Sequence, residues 1–294
     1  MDASARGLKL LTALLRSRPD PMNSALPTSR ELLGLVLARQ ADIRSFEARY
    51  TSYQYVESQP ALERVLAVQF DALFRAAEDS RYGEFQEKRF STKGREGDFQ
   101  LERCLYASKA GCARRLEMRD PPFPSKGLIA SPEDLHPLGG GPIAIMFDVL
   151  SPWDELLKLP PEDFVVERDK DTGLLILSVQ QPNGWHLTVE VDPLKGYMPV
   201  RSEVLTDDGA VRHESRRDAW IAENLLDRNS GRMVPTEITI IYDIGDGEKT
   251  FLEFKFHSIS VNPAIDAEQM TFQFPKGTVV DDQMANRQYR IGAI

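Results

Sequence analysis

Residue types that carry out chemistry are sparse and scattered in this sequence. The four histidines, His136, His186, His213 and His257, are far apart. His186, His213 and His257 fall on the polar faces of expected strands and His136 sits between Leu135 and Pro137, so each reads as a solvated imidazole. Cys104 and Cys112 are too few for a zinc site, which needs four ligands or three and a water. Asp207-Asp208 and Asp281-Asp282 lie at a turn and near the tail, whereas glycoside hydrolysis needs two carboxylates converging in a cleft. There is no G-x-S-x-G elbow, no H-E-x-x-H, no phosphate-binding glycine loop and no dinucleotide fingerprint. Gly139-Gly140-Gly141 before Pro142 reads as a hinge rather than an anion nest. The sequence therefore points away from an enzyme and calls for no cofactor or metal.

What remains is the chemistry of apolar surface. Trp185, Leu187 and Val189 alternate with His186, Thr188 and Glu190; Ile238 and Ile240 alternate with Glu237 and Thr239; Leu252, Phe254 and Phe256 alternate with Glu253, Lys255 and His257. Side chains two apart on a strand share a face, so these eight apolar residues form inward rows on neighbouring strands. A bare patch of that extent aggregates, so helices or a ligand must cover it. The eight are the candidate ligand-binding residues, and each buried methylene of an acyl chain would contribute about 0.8 kcal/mol.

The elements that must position these rows follow from turn chemistry. Between Phe164 and Asp282, Asp171-Thr172-Gly173, Pro182-Asn183-Gly184, Asp207-Asp208-Gly209, Asn229-Ser230-Gly231 and Asp246-Gly247 separate short strands. Connections this short make neighbours antiparallel, because a parallel pair needs a crossover of a dozen residues. Upstream, residues 1–27, with Pro19, Pro21 and Pro27, read as a flexible leader. A helix of about three turns is predicted from Thr28 through Leu32, Leu33, Val36 and Leu37, followed by a first strand over Phe46–Tyr53. Pro60 and the spacing of Leu62, Val65, Leu66, Leu73, Phe74 and Ala77 predict a helical insert at about 61–79. Strands over Phe85–Phe90, Phe99–Ala107 and Cys112–Met118 come next. Residues from about 127 to 160 leave the strand pattern, and Ser151-Pro152-Trp153-Asp154 starts a helix that would lie across the sheet as a lid. The expected domain is a single unit over 28–282, followed by a tail at 283–294.

Charge excludes further partners. The formal net charge is -9, and residues 148–294 alone carry 26 acidic and 15 basic side chains, so the sheet half repels phosphate backbones and nucleic acid is not an expected partner. Arg114, Arg115 and Arg119 read as a solvated strand face. No run approaches the roughly 18 apolar residues of a membrane-spanning helix, which argues against an integral membrane protein. Arg6 and Lys9 before Leu10–Leu15 faintly echo a secretory signal, but the apolar run is short and no clean cleavage site follows. A symmetrical four-residue turn in the cysteine hairpin sets Cys112 opposite Ala107; an odd loop with a bulge would join the two cysteines, and free buried thiols are the expected state.

Two segments carry a resemblance to a known family. His186-Leu187-Thr188-Val189-Glu190-Val191-Asp192, continued by Gly196-Tyr197-Met198-Pro199-Val200-Arg201, resembles the strand, turn and Pro-Val-Arg strand start of the bacterial periplasmic outer-membrane lipoprotein carriers, the Lol-type superfamily. Val261-Asn262 through Ile265-Asp266 to Phe272-Gln273-Phe274-Pro275-Lys276-Gly277-Thr278 is similar to that family's closing segment. The resemblance implies an α+β fold, an open (unclosed) antiparallel β-barrel or strongly curved meander with helices as a lid on the concave face. It also implies a cell-envelope, periplasmic setting and a lipid acyl chain or lipoprotein as partner. An envelope regulatory or structural module of the same fold, binding a protein partner, is the alternative. The sequence lacks a lipid-attachment cysteine near its N-terminus, and no residue is assigned to the family's lid-latching arginine.

Overall fold

The computed structural model describes residues 25–41, 43–58, 63–77, 80–90, 99–109, 111–119, 124–132, 160–181, 184–206, 209–222, 233–243 and 249–292. One sheet of 15 strands runs through them, in the order β15-β14-β6-β5-β4-β3-β2-β1-β13-β12-β11-β10-β9-β8-β7. Strands β1 (Ser45–Ser58), β2 (Glu63–Ala77), β3 (Ser80–Phe90), β4 (Phe99–Lys109), β5 (Cys112–Arg119) and β6 (Lys126–Ala130) make one meander. A second comprises β7 (Val165–Arg168), β8 (Leu175–Gln180), β9 (His186–Asp192), β10 (Met198–Leu205), β11 (Val211–Ala222), β12 (Met233–Asp243) and β13 (Lys249–Val261). The antiparallel β1–β13 pair fuses the two. The sheet is open, with β7 at one edge and β15 at the other.

Four expectations are corrected. The helical insert expected at about 61–79 is replaced over Glu63–Ala77 by a strand, hydrogen-bonded to β1 and β3. Val68, Phe70, Ala72, Phe74 and Ala76 alternate there with Gln69, Asp71, Leu73 and Arg75, but Ala67 is bulged opposite Gln54/Tyr55, which shifts the alternation by one residue. A pattern broken in phase, rich in alanine, mimics helical spacing. The strand pattern also does not stop at 127, since Lys126–Ala130 adds β6 to β5. Nor is the sheet antiparallel throughout: β14 (Val279–Asp282) pairs parallel with β6. The short-turn argument binds only strands adjacent in sequence, and β14 reaches β6 by a long return. Finally, the 283–294 tail contains β15 (Arg287–Arg290), which pairs with β14. The expected lid helices at 143–159, the glycine hinge and the leader up to residue 24 lie outside the described residues.

Helix α1 (Ser29–Ala41) forms as expected, and the reciprocal cap at its start is visible: Glu31 accepts from Thr28 N at 2.8 Å while Thr28 Oγ1 accepts from Glu31 N at 3.3 Å. The bond from Thr28 N, with a second from the Thr28 hydroxyl to the same carboxylate at 2.9 Å, holds the Glu31 carboxyl below its usual pKa. The Asp192–Gly196 turn is equally local in origin, since Asp192 accepts from Leu194 N at 2.8 Å and from Lys195 Nζ at 2.6 Å, and Gly196 takes φ +71°. In the closing segment Asn262 turns the corner at φ +55°. Its Oδ1 accepts from Arg44 N at 2.7 Å and Ser45 N at 3.2 Å, and so ties the end of β13 to the start of β1.

The cysteine hairpin has a tighter turn than the symmetrical four-residue one: Lys109 faces Cys112, so Cys104 stands opposite Glu117 and both thiols are free.

Candidate functional site

Register decides which residues share a face, because directly paired residues project the same way. Val189 faces Leu177 on β8 and Ser202 on β10, and Leu187 faces Val179 and Val204. Farther along the sheet Ile238 faces Phe254, Ile240 faces Leu252, and Phe256 and Phe254 face Tyr50 and Ser52 of β1. Seven of the eight expected site residues thus lie on one face. Trp185, 39% exposed, precedes β9 and belongs to neither apolar cluster.

The seven divide between two clusters. Leu187 and Val189 pack with Leu175, Leu177, Val191 and Val204 beneath Leu32, Leu33 and Val36 of α1. That part of the face is filled by the helix. Ile238, Ile240, Phe254 and Phe256 pack with Phe46, Tyr50, Phe74, Phe85 and Tyr106, and Leu252 joins them half-buried. Tyr50 links the rows, its ring 6.0 Å from Phe254 and 5.4 Å from Phe256. Burial drives its phenol pKa well above the ordinary range.

The second cluster is closed toward Phe46, Ala113 and Ala130, all fully buried. It loosens toward the opposite strand ends, where Val68, Phe70 and Leu252 are half-buried and Tyr242 is 39% exposed. The row one in from that looser end reads Ile238, Phe254, Ser52, Phe70, Glu87 and Glu102 from β12 to β4, all buried except half-buried Phe70 and Glu102. From Ile238 to Glu87 it crosses four strand spacings, roughly 19 Å.

Two expectations about polar residues change here. His213 is not on the polar face: it pairs with Tyr242 and Val204, and its ring lies 4.9 Å from that of Tyr242. Arg115, expected on a solvated face, shares the apolar face with Tyr106 and Leu128, while exposed Arg114 points the other way. Glu87, Arg89, Glu102 and Glu117 were not singled out from the sequence, yet they stand on this same face. Their even spacing with Phe85 and Cys104 is the signal that could have found them.

The opposite face carries a depression of about 600 Å³ lined by Leu73, Leu105 and Met118 with Arg49, Arg103 and Glu84 around them. Within its lining the Thr51 hydroxyl donates to Asp71 Oδ1 at 2.8 Å, which makes His257 Nε2, also 2.8 Å away, the donor to Thr51. His257 reaches Thr51 because it is the extra residue of the bulge that follows Phe256. Burying an apolar chain there would desolvate several ions, so this depression does not suit one. Farther along that face Arg201 is ringed by Glu190, Glu203 and Glu214 at 3.0–3.5 Å, a surface ion network centred on the Pro-Val-Arg strand start.

Among the described residues no group of histidine, cysteine and carboxylate side chains is arranged to hold a metal, and no helix is long and apolar enough to cross a membrane. No protein-family profile matches the chain and no curated protein sequence matches it. Its structural neighbours include a DUF1329 family protein from Desulfovibrio piger, with TM-score 0.45 and 9% identity over 83% of this chain and 97% of that one. A putative outer membrane lipoprotein-sorting protein domain from Vibrio parahaemolyticus aligns with TM-score 0.43 and 14% identity, covering 83% and 97%. A LolA superfamily protein from Nitrosomonas europaea gives 0.41 and 14%, covering 84% and 98%.

Proposed function

We propose that the protein is a non-enzymatic binder of lipid acyl chains, free or on a lipoprotein, in the bacterial cell envelope. The observation that carries this reading is the continuous apolar face through Ile238, Ile240, Leu252, Phe254 and Phe256, sealed at one strand end and loosened at the other. A chain entering past Leu252 and Phe70 would lie along the Phe254 row. Eight methylenes taken from water there would contribute roughly 6 kcal/mol before ordering costs, enough for useful affinity. Leu187 and Val189 belong to the same face but serve as the floor beneath α1, and Trp185 would act at the margin. The helix lid over the rest of the face, and residence in the periplasm, are parts of this proposal.

A protein-binding envelope module is the second reading, favoured by one observation: α1 already fills the face over β7–β10. Titration of the purified full-length chain with a fluorescent fatty acid separates the two. Saturable binding displaced by unlabelled fatty acid supports the carrier; a folded sample without saturable binding leaves the module.

A further inference from the structure

Two buried hydroxyls break the apolar face of the second cluster. Ser52 is 6% exposed and stands between Phe254 on β13 and Phe70 on β2. Tyr50, 3% exposed and two residues away on the same face of β1, holds its ring 6.0 Å from that of Phe254. Neither hydroxyl has a hydrogen-bond partner among the described residues. Burial alone raises the Tyr50 pKa, with no bond to the phenol contributing. Buried polar groups are nearly always hydrogen-bonded and one left unmade costs stability, so two at neighbouring positions on one face call for an occupant.

A plain acyl chain along the Phe254 row would press methylenes against both oxygens and leave them unpaired. A hydroxyl both donates and accepts, so a ligand hydroxyl at this point completes the two side chains, accepting from one and donating to the other. Its place on the chain follows from β1. The mouth of the face is the row through Tyr242, Thr250, Val56 and Val65, of which Tyr242 and Val65 are exposed. Ser52 lies four residues in from Val56, roughly 14 Å at the rise of a strand. Carbon–carbon bonds of about 1.5 Å advance an extended chain by roughly 1.25 Å each, so a fatty acid with its carboxylate at the mouth reaches Ser52 about eleven carbons on. We propose that Ser52 and Tyr50 form a subsite for an acyl chain hydroxylated part-way along its length, near the twelfth carbon. The proposal rests on the acyl-chain reading above and names the ligand for the same face.

The test is a displacement titration. A fluorescent fatty acid bound to the delipidated full chain is displaced with octadecanoate, 2-hydroxyoctadecanoate or 12-hydroxyoctadecanoate, the last two equal in composition and differing only in where the oxygen sits. The subsite predicts that the 12-hydroxy acid binds about tenfold more tightly than the 2-hydroxy acid, the order expected from one or two neutral hydrogen bonds, and no more weakly than octadecanoate. Replacing both side chains, Ser52→Ala with Tyr50→Phe, should retain octadecanoate and bring the 12-hydroxy acid down to the 2-hydroxy acid or below it. Circular dichroism melts identify a variant that fails to fold, and the wild-type order then decides alone. Octadecanoate binding with the 12-hydroxy acid no tighter than the 2-hydroxy acid, the result if water alone completes the two hydroxyls, overturns the subsite and leaves the acyl-chain reading in place. So does a folded double variant that keeps the tenfold preference. Failure of the chain to bind the probe or any of the three acids overturns both.

Discussion

Cys104 gives a sharp prediction about the interior of the second cluster. Its thiol is 4% exposed, packed in the cluster with Phe85 and Tyr106. Burial raises its pKa to about 12; Arg115 pulls it down, and Glu117, Glu87 and Glu102 add to the rise. At pH 8 an ordinary thiol, with pKa about 8.5, is about a quarter ionised, whereas a thiol at about 12 is ionised about once in 10⁴. Since only the thiolate attacks, native Cys104 should alkylate roughly 2,000-fold more slowly than it does in the unfolded chain. The assay is a timed pulse of iodoacetamide at pH 8, with and without urea, read by peptide mass spectrometry. Half-buried Cys112 serves as the second reporter in the same digest. Because burial is the main cause, Glu117→Gln should leave Cys104 slow. A native rate for Cys104 within tenfold of its rate in urea would refute the packing assigned to this face.

Three further outcomes are expected. Asn262→Ala removes the acceptor for Arg44 N and Ser45 N at a left-handed corner and should cost about 1–3 kcal/mol in urea unfolding; a change below about 0.5 kcal/mol would show that the closing segment is not tied to β1 in this way. At Gly83 an added Cβ would stand 2.3 Å from the Phe85 ring, so Gly83→Ala should lower stability by about 1–3 kcal/mol through overpacking, read from the thermal midpoint. The buried Tyr50 phenol keeps its proton in the folded state at pH values where the unfolded one, near 10, has released it. The unfolded state then binds fewer protons, so stability is intact below pH about 10 and falls as pH rises beyond it. Tyr50→Phe should flatten that fall in a pH series of urea midpoints, and an unchanged slope would contradict the assigned burial.

The second meander was legible because its turns are explicit. Asp192-Pro193-Leu194-Lys195-Gly196 encodes its own geometry, and Leu187, Val189, Ile238 and Phe254 alternate without interruption, so strand and face could be read together. Residues 63–77 were not legible for the opposite reason: the bulge at Ala67 breaks the period, and pairing with β1 and β3 overrides the helical leaning of an alanine-rich segment. The parallel β6–β14 pair depends on a contact between residues about 150 apart in the chain, which no local pattern announces. For the site, alternation grouped eight residues, and the register sets seven of them, all but Trp185, on one face. Alternation could not show that α1 covers Leu187 and Val189, nor that Glu87, Glu102 and Arg115 share the face, because a strand such as Glu84–Arg89 has charged residues in both phases and Phe85 as its one apolar residue.

Native mass spectrometry of the delipidated full chain after incubation with a long-chain fatty acid tests the central claim most directly. A mass increment equal to one bound acyl chain, saturating with concentration and lost when Leu252 or Phe254 is replaced by aspartate in a variant that still melts cooperatively, is the predicted result. A folded chain that keeps its bare mass at every fatty-acid concentration would contradict it.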